Sequence, residues 1–297
     1  MELRQLIYFI EVAKQEHVSS AAETLNIAQS AVSRQIGNLE AELGVQLLEK
    51  DGRNIKLTYI GKLFAKQAAI AIKAIDNAKQ LIDEYIDPDR GIIRIGFPSS
   101  FANNILPSII IAFKKEYPDI RFHLRQGSYK FLIEGIKNRE IDLAFIGPVP
   151  SREPDIRSDI LFTEQFVALL PTTHPLSHEK SLSLLQLMKD SFVLFPEGYI
   201  LRRIVEDACL QAGFRPSILF EGEDLDAIKG LVSSGIGVTL LPDVTLNGNL
   251  PNDTVKVNVT QPEVRRSVGL ITPKHRELSP SETLFYNFAK SYFSFYD

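Results

Sequence analysis

The sequence predicts three successive architectures: an N-terminal winged helix-turn-helix, all-α with a β wing, over residues 1–58; a long coiled-coil linker helix over 59–88; and a two-lobed α/β domain over 89–297. Three observations predict them. Residues 18–43 hold two amphipathic stretches separated only by Asn26-Ile27-Ala28, a turn too short to do anything except cross two helices steeply. Phe64, Ala68, Ala71, Ile75, Ala78, Ile82 and Tyr85 follow one another at alternating steps of four and three, a 3.5-residue period. From Gly91 onward short apolar runs alternate with helical ones, as in an α/β domain.

Leu6, Phe9, Ile10 and Ala13 give the first helix a core stripe. Ser20 and Glu23 stand at capping-box spacing and mark the start of the second, where Ala21 and Ala22 permit close packing. In the third, Val32, Ile36, Leu39 and Leu43 form the apolar stripe, and the opposite face carries Gln29, Ser30, Ser33 and Arg34. Those types suit a DNA groove: arginine donates two hydrogen bonds to guanine, glutamine pairs with adenine, and short hydroxyls reach bases or phosphates. A small helical bundle with a solvated face would show the same stripe. The balance shifts with Leu47 to Thr58, which alternates around Asp51-Gly52 as a hairpin does. Lys50, Arg53, Asn54 and Lys56 then lie on or beside a wing, in reach of phosphates or the minor groove.

The helix after the wing runs without internal proline from Tyr59 to a stop at Asp87-Pro88. Its seam is that of paired helices, three alanines on it allow close approach, and Leu63, Ile70 and Leu81 widen the apolar face. The expected product is a homodimer with paired recognition helices and a roughly palindromic DNA site.

In the α/β region Ile92 to Ile95 reads as a strand running into Gly96-Phe97-Pro98-Ser99-Ser100, and Ile105 to Tyr117 as a helix. A ligand in such a sheet sits at the strand C-termini, beside helix N-termini whose N–H groups favour anions. Ser99, Ser100, Ser128, Gly147, Glu197, Gly198 and Glu223 occupy such strand ends, and Arg202, one helical turn after Glu197-Gly198, is the first choice of cation among Arg125, Lys130, Arg202, Arg203 and Lys229. Glu164 to Leu170 reads as a strand crossing into a second lobe that begins near Phe162. The chain returns near Arg266, with Ser267 to Ile271 a strand and Pro280 to Phe295 a last helix on the first lobe. Lobe I is thus about 91–161 with 267–297, and lobe II about 162–266.

A hydrophobic fraction of 44% and a charged fraction of 24% are ordinary for a globular protein. The net charge of −4 argues against a protein that coats nucleic acid by bulk attraction. Residues 1–58 hold six basic and eight acidic side chains, with four of the six bases on the third helix or wing, so DNA binding is local and needs oligomerisation to multiply it. Cys209, the sole cysteine, excludes an internal disulfide and falls in a helical stretch as a core residue. His174 and His178 have metal-pair spacing, but Pro175 interrupts the helix, and no metal is expected. No charged-then-apolar leader precedes Leu3 and no apolar run reaches membrane-spanning length, so a cytoplasmic location is expected. An enzyme on the same fold is the competing class. No metal cluster, Cys/His pairing or phosphate loop supports it, and Gly235-Ile236-Gly237 leads into a strand rather than a helix. A solute-binding transport component and a regulator with an inert cleft are further alternatives.

Ala21-Ala22, the run from Gln29 to Ile36, Leu39-Glu40, Leu43-Gly44, Leu57-Thr58 and Gly61 resemble the N-terminal signature of LysR-type transcriptional regulators. Leu48 and Lys50 depart from the Phe and Arg usual there, and Gly37 sits inside the recognition helix. The resemblance implies a periplasmic-binding-protein-like effector domain, promoter DNA and RNA polymerase as partners, and tetramers of two dimers joined through the C-terminal domains. Gln126 to Leu132, Gly147 to Pro150, Phe195 to Gly198 and Glu221 to Gly230 are similar to the branch of that family that controls glutamate synthase genes in bacilli. That likeness implies an activator, with 2-oxoglutarate favouring activation, glutamate opposing it, and no cofactor.

Overall fold

The computed structural model describes residues 1–51, 54–86 and 91–294. Two compact units divide the chain, Met1–Asp83 and Glu84–Asp297.

The first unit contains α1 (Leu3–Gln15), α2 (Val18–Leu25), α3 (Gln29–Leu43), the antiparallel pair β1 (Leu48–Asp51) and β2 (Asn54–Leu57), and all but the last three residues of α4 (Tyr59–Ile86). The stripe of α1 runs through Leu6, Phe9 and Val12, with Ile10 and Ala13 half-buried beside it. The start of α2 differs from the capping box expected at Ser20 and Glu23. Glu16 adopts left-handed backbone and His17 follows in extended backbone, so His17 becomes the cap and accepts from the Ser20 N–H at 3.3 Å. On α3, Val32, Ile36 and Leu39 are buried, but Leu43 is exposed. Gly44 turns the chain there in left-handed backbone (φ 69°), a conformation glycine adopts without steric cost, and Leu47 completes the core instead.

Glu40 fixes the wing to α3 by accepting from the backbone N–H groups of Leu47 (2.7 Å) and Leu48 (3.0 Å). Thr58 starts α4 the same way: its Oγ1 accepts from the Gly61 N–H at 2.9 Å and donates to Gln46 O at 2.9 Å. Gly61 is dictated by sterics, since a Cβ there would lie 2.0 Å from the Leu47 carbonyl oxygen. Two residues expected on the coiled-coil seam turn inward instead. The Phe64 ring packs 5.5 Å from that of Phe9, and Ala68 is buried in the same core. The first turns of α4 are therefore consumed by their own unit, whereas Ala71, Ile75, Ala78, Ile82 and Tyr85 are exposed.

The second unit begins with β3 (Ile92–Phe97), α5 (Ile105–Glu116), β4 (Arg121–Gln126), α6 (Tyr129–Lys137) and β5 (Leu143–Ile146), three parallel strands with intervening helices. Next comes β6 (Ile156–Pro171), 16 residues long. The chain continues through β7 (Ser181–Ser183), β8 (Ser191–Leu194), α7 (Ile200–Gln211), β9 (Ser217–Glu221), α8 (Leu225–Ser233), β10 (Thr239–Pro242) and β11 (Thr254–Gln261). It closes with β12 (Arg265–Pro273) and α9 (Pro280–Phe293). The strand order is β4-β3-β5-β12-β6-β11-β7, with β10 also on β6, and β8 pairs with β9.

The length of β6 makes two lobes. Residues Ile156–Gln165 pair with β12 in the first lobe, and Phe166–Pro171 pair with β10 and β11 in the second. The two strands that join the lobes thus lie side by side, with Glu164 directly opposite Arg266. Lobe I has a phenylalanine-rich core in which Phe113, Phe122, Phe145 and Phe285 meet edge to face, and α9 closes it with Phe285, Ala289 and Phe293. Each such ring pair is worth about 0.5–1.5 kcal/mol beyond its burial. Lobe II is built on Phe166, Leu169, Phe192, Val205, Ile228 and Leu241, and Cys209 lies in that core.

Candidate functional site

The first site is the outer face of α3. Its buried stripe anchors the helix to α1 and α2, so Gln29, Ser30, Ser33 and Arg34 are held outward, all exposed. Arg34 has no ion-pair or hydrogen-bond partner among the described residues, leaving its five donors available. Ala28 supplies no side-chain cap, and the Ala31 N–H donates to Ala28 O at 3.0 Å, so among the first N–H groups of α3 those of Gln29 and Ser30 are open to an acceptor such as phosphate. Gly37 continues this face, with open space around its Cβ position. On the wing, Lys50 and Lys56 are exposed, and Lys56 Nζ lies 3.6 Å from its cross-strand neighbour Glu49. Asn54 begins β2, and Arg53 lies outside the described residues.

The second site lies where the lobes join. Ser99 and Ser100 form a short 3-10 turn after β3, Ser128 caps α6 after β4, and Gly147 follows β5. Ser100 and Gly147 converge on a side chain not among the expected cations, Arg266. Its Nη2 donates to Ser100 Oγ at 3.0 Å and its Nη1 to Gly147 O at 3.3 Å, while Glu164 Oε1 accepts from Nε. The guanidinium carbon sits 5.7 Å from the ring centroids of both Phe101, in lobe I, and Phe166, in lobe II. A Cβ on Gly147 would stand 3.1 Å from Arg266 Nε, so glycine leaves room for the guanidinium. Burial pushes the Glu164 carboxyl up and the Arg266 guanidinium down, and each offsets the penalty on the other. Glu164 Oε2 is buried without a hydrogen-bond partner among the described residues. Glu164 is one of the residues lining a cavity of about 550 Å³, with Asn104, Ser108, Thr163, Gln165 and Asp243. Across this cavity Asn104 Nδ2 donates to Val244 O (2.7 Å) and Asn247 O (3.2 Å), linking the lobes.

Arg202, the first choice of cation, is instead engaged internally. Its Nε donates to Glu206 at 2.8 Å, its Nη1 to Glu221 at 2.5 Å and to Phe195 O, all within lobe II. Three carboxylates surround it, Glu206 and Glu221 together with Glu197 at 3.9 Å, and it ties α7 to β9. Lys229 is likewise buried, donating to Thr245 O, and Arg125 and Arg203 pair on the surface with Glu140 and Asp207. Glu197, Gly198 and Glu223 lie exposed at strand ends of lobe II. The signal that could have found Arg266 and Glu164 was their phase: each sits between apolar residues on the inward side of its strand, where a charge needs a partner.

Family models match both units: "Bacterial regulatory helix-turn-helix protein, lysR family" over residues 3–62 and "LysR substrate binding domain" over residues 87–294. The chain belongs to the LysR family of transcriptional regulators. It is 59% identical to the transcriptional dual regulator GltC of Bacillus subtilis (strain 168), covering 99% of this chain and 98% of that one. The crystal structure of full-length CbnR complexed with its target DNA matches with a TM-score of 0.78 at 24% identity, over 98% of this chain and 99% of that one, a likeness of fold. Full-length BenM matches with a TM-score of 0.63 at 29% identity over 100% and 98%. For this LysR-type regulator, α2 and α3 are the helix-turn-helix of the family, and the two-lobed unit is its ligand-binding domain. Among the described residues, no helix is long and apolar enough to cross a membrane.

Proposed function

We propose that this regulator binds promoter DNA as a homodimer through α3 and the wing, and that a dicarboxylate metabolite held between the lobes sets its activity. Gln29, Ser30, Ser33 and Arg34 address the major groove, and Lys50, Arg53, Asn54 and Lys56 the phosphates or minor groove. The exposed half of the α4 seam, from Ala71 to Tyr85, joins the dimer. The open edges at β4 and β9, with Leu124, Leu219 and Phe220 exposed, are where dimers pair into tetramers. The target is the glutamate synthase genes, with 2-oxoglutarate as the activating effector and glutamate opposing it. This reading is supported by the full-length likeness to GltC. The protein acts in the cytoplasm, contacts RNA polymerase and catalyses no reaction.

The observation that carries the effector assignment is the buried, charged Arg266 at the strand ends of lobe I, ringed by Ser100 and Gly147. Ser99 and Ser128, at strand ends of lobe I, and Glu197, Gly198 and Glu223, at strand ends of lobe II, are the further residues assigned to the effector site in this reading. Ligand binding shifts the lobes' relative population and thereby the spacing of the recognition helices. Calorimetric titration tests the assignment: 2-oxoglutarate binds the full-length chain and not its Arg266→Gln form. Equal binding by both would remove Arg266 from the site.

A further inference from the structure

We infer that Glu164 is a built-in competitor for the effector's carboxylate: with no ligand bound it occupies Arg266, and a ligand enters by displacing it. The inference rests on the reading of Arg266 as the effector's anchor. Four observations lead to it. Glu164 and Arg266 stand opposite each other on the two strands that join the lobes, so their pairing is local to the hinge. The pair is monodentate, since Nε and Nη2 both address Oε1, which leaves Oε2 buried with no partner among the described residues. A carboxylate held as a structural staple would satisfy both oxygens, as Glu282 does with the guanidinium of Arg276. Finally, the displaced side chain has somewhere to go. Glu164 borders the cavity of about 550 Å³, whose wall offers Asn104, Ser108, Thr163 and Gln165 to a rotated carboxylate.

Two consequences follow. A ligand must bring an anion strong enough to replace an internal carboxylate, so the site selects carboxylates or comparable oxyanions and refuses neutral analogues of the same shape. Displacement also delivers an acceptor beside Asn104, whose amide joins the lobes through Val244 O and Asn247 O. Ligand entry is thereby coupled to the hydrogen bonds that set the lobes' relative position.

Glu164→Gln keeps the shape and the acceptor oxygen but removes the charge. Full-length wild type, this variant and the double variant Glu164→Gln/Arg266→Gln are titrated with 2-oxoglutarate and, separately, with sulfate at constant ionic strength, and binding is read as thermal protection. The expected result is a drop of about tenfold in the half-saturating 2-oxoglutarate concentration for Glu164→Gln, within the range of ordinary coupling energies. Sulfate protection is also gained, and both effects disappear in the double variant, which removes the buried charges as a pair. A folded Glu164→Gln protein that binds neither anion more tightly overturns the inference. If that variant does not fold, Glu164→Asp, which withdraws the charge by one methylene, is read by the same criterion. Tighter sulfate binding without any 2-oxoglutarate binding upholds the competitor and rejects 2-oxoglutarate as effector.

Discussion

Arg34→Ala separates base reading from phosphate attraction on the recognition face. The side chain is exposed and unpaired among the described residues, and its helix is anchored through Val32, Ile36 and Leu39 on the far side. Folding stability should therefore change by less than about 0.5 kcal/mol, as for other surface substitutions. The loss on DNA is much larger, since a bidentate arginine–guanine contact is worth about 1–3 kcal/mol of discrimination. A homodimer loses two such contacts, or about 2–6 kcal/mol, which is roughly 1.5 to 4 decades in Kd. The control is Lys56→Ala, which removes one wing charge per protomer together with an exposed 3.6 Å ion pair of little value. It should weaken all sequences alike and lower the salt slope by about one per protomer. Fluorescence anisotropy on the promoter duplex and a scrambled duplex, each at two salt concentrations, distinguishes the two behaviours. An Arg34→Ala protein that loses affinity equally for both duplexes, or loses none, would refute base reading by this residue.

Three further outcomes are expected. Gly37→Ala should stabilise the first unit by about 1 kcal/mol, the helix-propensity difference, because the added methyl meets nothing within 4 Å; an unchanged or lowered denaturation midpoint would contradict this. Gly61→Ala should cost about 3 kcal/mol or more, since its Cβ would press on the backbone oxygen of Leu47. Wild-type stability in that variant would show that α4 is not fixed to the wing as described. Burial pushes the Cys209 thiol up to about 12, so almost none is thiolate at pH 8. Iodoacetamide should label it only on unfolding, and rapid labelling of the native protein would place it outside the lobe II core.

Much of the architecture was legible because its signals are local. Period and turn length located α2, α3 and the wing, while proline and apolar runs marked the end of α4, the crossing at β6 and the return at β12. Misreadings arose where the deciding neighbour is remote in sequence. The 3.5-residue register on α4 has no way to tell that Phe64 meets Phe9 inside its own unit. Leu43 lost its place to Leu47 because Gly44 turns the chain beyond it. Cations at the cleft were the hardest to read: Arg202 was plausible by position, but Glu221 on a later strand neutralises it. Arg266 meets Ser100 and Gly147, more than a hundred residues away. A charged side chain announces that it needs a partner, and only the tertiary structure names which one.

Footprinting of the full-length protein on the glutamate synthase promoter, at fixed salt, joins the DNA face to the cleft in one measurement. The prediction is a protected region of paired half-sites whose extent shifts as 2-oxoglutarate is titrated in and shifts back with glutamate. Protection that neither metabolite alters would contradict the coupling of Arg266 to the recognition helices, and absence of specific protection would contradict the assignment of this promoter as the target.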